Sequence, residues 1–302
     1  MTLADDDRSD MEARELRPGQ RSCVWTFSVD TGEHRLVYES TDVLLEAPNW
    51  LADGRLLLNG GGTLWTLTGE GELAQVSLPG LPVLNNDHVP APDGVSVYVS
   101  ANDWHIYRAP LAGGDAVKVT GSPDHPNLMH FLHGVSPDGS RLAFVGLEPE
   151  GENWWANTSI FTISSEGGDY RRITQGSVID GSEYSPDGEW IYFNSEGFDG
   201  HAQIGRMRPD GSQQQQLTFD TFVNWFPHIS PDGNRAAYLS FPAGVEGHPA
   251  DLWVEIRVVE LPAWDKPRTA VRLFGGQGTL NVNSWSPDSR AFAYVSYPIG
   301  DV

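Results

Sequence analysis

The stretch His133-Gly134-Val135-Ser136-Pro137-Asp138-Gly139-Ser140-Arg141-Leu142-Ala143-Phe144-Val145 decides the fold. It reads as a short strand, a tight turn at Pro137-Asp138-Gly139 and a second strand with alternating apolar positions. Proline suits the first central position of such a turn, and glycine takes the conformation that side chains resist. The phrase returns at Ser185-Pro186-Asp187-Gly188 and Ser230-Pro231-Asp232-Gly233. Weaker copies stand at Ala91-Pro92-Asp93-Gly94, Ser286-Pro287-Asp288-Ser289 and Leu51-Ala52-Asp53-Gly54. The six aspartates fall at 53, 93, 138, 187, 232 and 288, with spacings of 40, 45, 49, 45 and 56 residues. A period in the forties filled with short strands is the signature of a β-propeller blade.

Working outward from the repeats, the two ends of the chain are complementary. Residues 22–29 and 35–39 form a strand pair with no turn phrase before it. The last phrase supplies strands over 280–285 and 290–297, and then the chain stops. The ends are therefore expected to share one blade, which closes the ring and hides sheet edges. The expected fold is an all-β, six-bladed propeller with four-stranded blades. It occupies residues 21–302 behind a polar, flexible or loosely docked tail over 1–20. Inner strand pairs are expected near 43–58, 83–99, 130–145, 178–195, 223–240 and 280–297. Insertions lie at 241–251 and 148–157, the second carrying Trp154-Trp155, either a sugar platform or blade packing.

Composition narrows the function. The 302 residues carry 41 Asp and Glu against 19 Lys and Arg, a net charge of −22. Such a chain is a poor partner for nucleic-acid phosphates or an anionic membrane surface. Cys23 is the single cysteine, so no internal disulfide forms. No secretory leader or apolar run of about 20 residues is present, and a cytoplasmic location is expected. The repeat resembles that of the TolB-like propellers over about residues 22–298. The likeness is closest to their stand-alone six-bladed members, in Glu46-Ala47-Pro48-Asn49-Trp50, Asn85-Asn86-Asp87-His88, Trp225-Phe226-Pro227-His228 and Phe274-Gly275-Gly276-Gln277-Gly278-Thr279. The repeat is specific for fold and poor for function.

Aligning the phrases on Ser136 finds chemistry at the mouth of the channel. Three places upstream stand Pro48, His88, His133, Ser182, Pro227 and Asn283. Two places upstream stand Asn49, Val89, Gly134, Glu183, His228 and Ser284. Three imidazoles from three blades are thus expected at one cavity, with Asp87, Asp180, Glu183, Asn224 and Gln277 close by. Neutral histidines with a carboxylate or amide suit a divalent Mn, Fe or Zn ion. The expected metal set is His88, His133, His228 and Gln277. Oligogalacturonate lyase propellers are similar at their histidine-bearing inner strands, and that resemblance implies a metal held by histidines and a glutamine. Only His228, in Phe-Pro-His before Ser-Pro-Asp, sits in a phrase like theirs.

Asp87, Asp180 and Glu183 are the expected catalytic carboxylates, and Asn49, Asn224, His248 and Asn283 the expected ligand-binding residues. No Arg or Lys falls at the aligned positions, so a neutral or oxidised sugar fits better than a polyanionic uronide. No hydrolase elbow, P-loop or dinucleotide fingerprint is present, and no nucleotide cofactor is expected. Two readings stand: a metal-dependent lyase or hydrolase on a small carbohydrate-like ligand, and a non-catalytic scaffold that docks a protein or peptide on its channel face.

Overall fold

The computed structural model describes residues 13–149 and 157–300. Trp154 and Trp155 lie outside the described residues. Five four-stranded antiparallel sheets follow one another along the chain, each running from an innermost to an outermost strand. Their innermost strands are Leu45–Trp50, Leu84–Pro90, Met129–Val135, Ile179–Tyr184 and Val223–Ile229; the sheets they begin are blades 1 to 5. No helix occurs among the described residues.

Each turn phrase is locked by its own side chains. Ser136 donates its hydroxyl to Asp138 at 2.6 Å, Asp138 accepts the Ser140 amide at 3.0 Å, and the Arg141 amide donates back to the Ser136 hydroxyl at 2.9 Å. The same bonds recur at Ser185, Ser230 and Ser286. The phrase is therefore self-sufficient, which is why it can be read without knowing what packs on it.

Blade 6 closes the ring as the two chain ends predict. Ser22–Ser28 pairs antiparallel with Ala291–Ser296 and with His34–Ser40. Its innermost segment differs from expectation: residues 280–285 form a bridge at Trp285–Phe292 instead of a strand. Asn281 accepts from the Gly278 amide at 2.8 Å and Asn283 from the Trp285 amide at 3.1 Å, so side chains here compete for backbone groups. The described part of the N-terminal tail, residues 13–20, is docked more closely than its polarity predicts. Leu16 packs on the core between blades 6 and 1, and Arg17 pairs with Asp251 at 2.9 Å.

The seam between blades 1 and 6 depends on Gly278. Its φ of +87° is unfavourable for other residues, and a Cβ there would collide with the Glu46 carboxylate and the Tyr297 hydroxyl. Its carbonyl accepts from the Ala47 amide at 2.7 Å. Gly278→Ala is expected to destabilise the fold by on the order of 2 kcal/mol or more, read by urea denaturation. An unchanged midpoint would show that the seam is loose.

The inner strands share one irregularity that positions everything else. The ladder slips between Glu46 and Asn49, Leu84 and His88, Leu132 and Gly134, Asp180 and Glu183, and Trp225 and His228. Each inserts extra residues on the inner strand, one in four blades and two in blade 2, and such a bulge kinks the strand and re-aims the side chains around it. Three place a residue in the left-handed region, at Ala47 (φ 52°), Gly181 (φ 68°) and Phe226 (φ 55°). The Phe226 amide is held by Asn194 Oδ1 at 3.1 Å. Strain at a bulky residue persists where its surroundings fix it.

Candidate active site

In blades 2 to 5, side chains before or within the bulge line a cavity of about 830 Å³. Those after it turn into the contacts between blades. His133 is the unpaired residue of its bulge, between the paired Leu132 and Gly134, and it lines the cavity. His88 and His228 follow their bulges, pair with Val99 and Ala237, and are absent from the lining.

The cavity brings together five of the predicted residues: Asp87, His133, Asp180, His248 and Gln277. His133 donates from Nε2 to Asp180 Oδ1 at 2.7 Å. The Gly181 amide, at the bulge, also donates to Asp180 Oδ1 at 2.7 Å. The other oxygen, Oδ2, lies 3.7 Å from His248 Nε2. Asp180 thus stands between two imidazoles. His248 comes from the predicted 241–251 insertion and donates from Nδ1 to Gln277 Oε1 at 2.5 Å. That oxygen also accepts from Asn281 at 3.0 Å. Phe226 packs against both rings, with centroids 5.9 Å from His133 and 5.1 Å from His248, and Trp225 meets His248 at 4.5 Å.

Burial and charge set the protons of this group. Burial opposes the charged form of His133, but Asp180, Asp87 and Glu183 outweigh it and raise its pKa to about 9. Burial raises Asp87 to about 6, with Asp180 and Glu46 adding to the push against His133. Asp180 is buried too, yet the His133 contact outweighs that and holds it below the usual carboxylate range. Burial holds His248 below its ordinary value, against Asp180 and Gln277. At neutral pH the site therefore contains a protonated His133, an ionised Asp180, a largely ionised Asp87 and a neutral His248. The Nδ1–H of His248 is fixed by Gln277, so its Nε2 carries a lone pair.

The other predicted residues form a separate buried belt. Asn49 Oδ1 accepts from His88 Nδ1 at 2.7 Å, and Asn49 Nδ2 donates to the Asn283 carbonyl at 2.8 Å. Asn283 Nδ2 donates to Glu183 Oε1 at 2.7 Å. Glu183 accepts from the Ile229 amide at 3.0 Å and from His228 Nδ1 at 2.7 Å. His228 Nε2 faces the Leu280 carbonyl at 2.9 Å. Both nitrogens of His228 face protein oxygens of the belt, so the ring is held there and does not line the cavity. Asn224 is fully buried behind the cavity, bonded to Gln203, Asp220 and Ser240. The shared metal set of His88, His133, His228 and Gln277 does not assemble, because the bulges send the imidazoles to different environments. Among the described residues, no three His, Cys, Asp or Glu side chains group as a metal requires. The residues present do not fit the expected ion.

Alignment on the turn phrase missed the walls. Asn86, Asn102, Trp104, Phe131, Trp225 and Asn281 line the cavity. Two of these stand in motifs that carried the family resemblance, Asn85-Asn86-Asp87-His88 and Trp225-Phe226-Pro227-His228, which was the available signal. Among the lining residues there is no Arg and no Lys.

Fold and cavity together define a six-bladed propeller with a cavity lined by residues of several blades. A profile of the TolB beta propeller domain matches residues 129–248. An uncharacterized protein of Agrobacterium fabrum is 38% identical over 285 residues, spanning 92% of this chain and 92% of its own. A solved Agrobacterium tumefaciens protein with a provisional TolB assignment is 37% identical, with a TM-score of 0.84 over 93% of this chain and 100% of that one. The chain belongs to the TolB-like β-propeller family. An oligogalacturonate lyase solved in complex with manganese is 15% identical, with a TM-score of 0.58 over 91% of this chain and 78% of that one. At that identity the likeness is one of fold.

Proposed function

We propose that the axial cavity binds a small neutral, carbohydrate-like ligand and that His133, Asp180, His248 and Asp87 move protons on it. The observation that carries this reading is Asp180 placed between the imidazoles of His133 and His248 in a cavity whose described lining holds no Arg or Lys. Side-chain amides offer both donors and acceptors to hydroxyl groups, and aromatic faces pack on the apolar face of a sugar ring. The volume, about 830 Å³, lies in the range of small-molecule sites. Asp87 and Asp180 would repel a uronate: the protonated His133 is already paired with Asp180, and no Arg or Lys among the described lining residues adds positive charge.

The acid–base roles follow from geometry and proton state. Nε2–H of His133 is committed to Asp180, which leaves Nδ1 as the atom to deliver a proton to a ligand oxygen. Asp87 is the base, ionised above about 6. His248 Nε2 is a second acceptor. A group pair of this kind works between the two pKa values, here about 6 and about 9.

Calorimetry and turnover assays with neutral monosaccharides, sugar lactones and uronates test the reading. Neutral ligands are expected to bind at least tenfold tighter than uronates of the same ring, and turnover to plateau between about pH 6 and 9. Tighter uronate binding, or binding untouched by Asp180→Asn, would overturn it.

A further inference from the structure

Arg14 lies outside the cavity, on the N-terminal segment, yet it touches what holds the site. Its guanidinium pairs with Glu46 and donates from Nη1 to the Gln277 carbonyl at 2.7 Å. The Tyr297 ring covers it, 5.4 Å from the centroid. Glu46 is buried, and burial drives its carboxyl up except where Arg14 opposes. The segment is anchored further along at Gln20, which donates to Asp251 of blade 5 at 2.6 Å and pairs with Ile299 after the last strand of blade 6.

Gln277 is the common element. Its carbonyl is held by Arg14 and its amide donates to the Pro249 carbonyl at 3.2 Å. Its side chain accepts from His248 Nδ1 at 2.5 Å. We infer that Arg14 is a positioning residue for the acid–base site: it fixes Gln277, and Gln277 fixes the His248 ring and its tautomer beside Asp180. The inference rests on the proton-transfer reading for its purpose, but the coupling itself exists in the ligand-free protein. The N-terminal segment thus completes the site from a distance, by a relay of two hydrogen bonds.

The test is ¹⁵N imidazole spectroscopy of the full chain, with the His248 signals assigned from a His248→Gln variant. In the native protein the two His248 nitrogens are expected far apart in shift, as a fixed Nδ1–H tautomer requires. In Arg14→Ala the separation is expected to collapse or invert, and millimolar guanidinium is expected to restore it. Arg14→Ala leaves Glu46 buried without its partner, and such a change can unfold a protein. The double variant Arg14→Ala/Glu46→Met removes both charges and keeps the measurement possible. A His248 pattern unchanged in either folded variant, with only the melting temperature lowered, overturns the inference. Failure of sugar binding would leave this readout untouched, so the two readings fail separately.

Discussion

Asp180→Asn is expected to strip His133 of its proton at neutral pH and to abolish ligand binding while the ring stays folded. The substitution is isosteric, and the amide oxygen can still accept from Nε2–H. What it lacks is the charge that contributes most to holding His133 near 9 against burial. Without it, only Asp87 and Glu183 oppose burial, and the His133 pKa is expected to fall from about 9 to below neutrality. The native His133 shift, from about 6.5 to about 9, corresponds to a stabilisation on the order of 3 kcal/mol.

Its sign fixes the pH window. A raised histidine stabilises fully below its unfolded pKa, about 6.5, and that stability is lost as pH rises through about 9. Asp180, held low, contributes only above its unfolded value, about 3.8, and loses that contribution on acidification through its lower folded value. The stability gap between native protein and variant is therefore expected to be widest between about pH 4 and 6.5 and to close above about 9. Histidine titration by NMR and denaturation at several pH values measure both effects. A His133 that keeps its proton at pH 8 in the variant would sink the assignment.

Glu183→Ala is expected to do the opposite: to damage the ring and spare the site. Glu183 accepts from His228, the Ile229 amide and Asn283. Removing it leaves three buried donors without their acceptor, a loss on the order of 4 kcal/mol. Glu183→Gln keeps one acceptor oxygen and should fall between the two. Denaturation midpoints measure the loss, and calorimetry on the surviving folded fraction should return native ligand affinity. If Glu183→Ala instead lost ligand at native stability, Glu183 would belong with the catalytic carboxylates, as its place in the sequence implied.

The two carboxylates show how far the sequence could be read. Asp180 and Glu183 lie three residues apart on one inner strand, and both stand near aligned histidines. Ideal alternation puts residues three apart on opposite faces, but it does not say which face meets the axis. The bulge between them, with Gly181 at positive φ, breaks that alternation, and only the structure shows that Asp180 lines the cavity while Glu183 bonds to the next blade. His88 and His133 make the same point. Both stand three places before the phrase, yet His133 is the bulge residue and His88 follows one. His88 meets Asn49 where His133 meets Asp180.

The sequence by itself determined the ring: six self-locking turn phrases at blade spacing, and chain ends that are two halves of one sheet. It could do so because each turn is held by bonds among residues within five places of one another. Tertiary structure alone decided which imidazoles share a cavity. A one-residue slip in a ladder reverses every following side chain, and whether a strand slips depends on what the neighbouring blades offer its freed amides. Asn194 meeting Phe226 and Gly278 meeting Ala47 are such offers, made across sheets by residues far away in the chain.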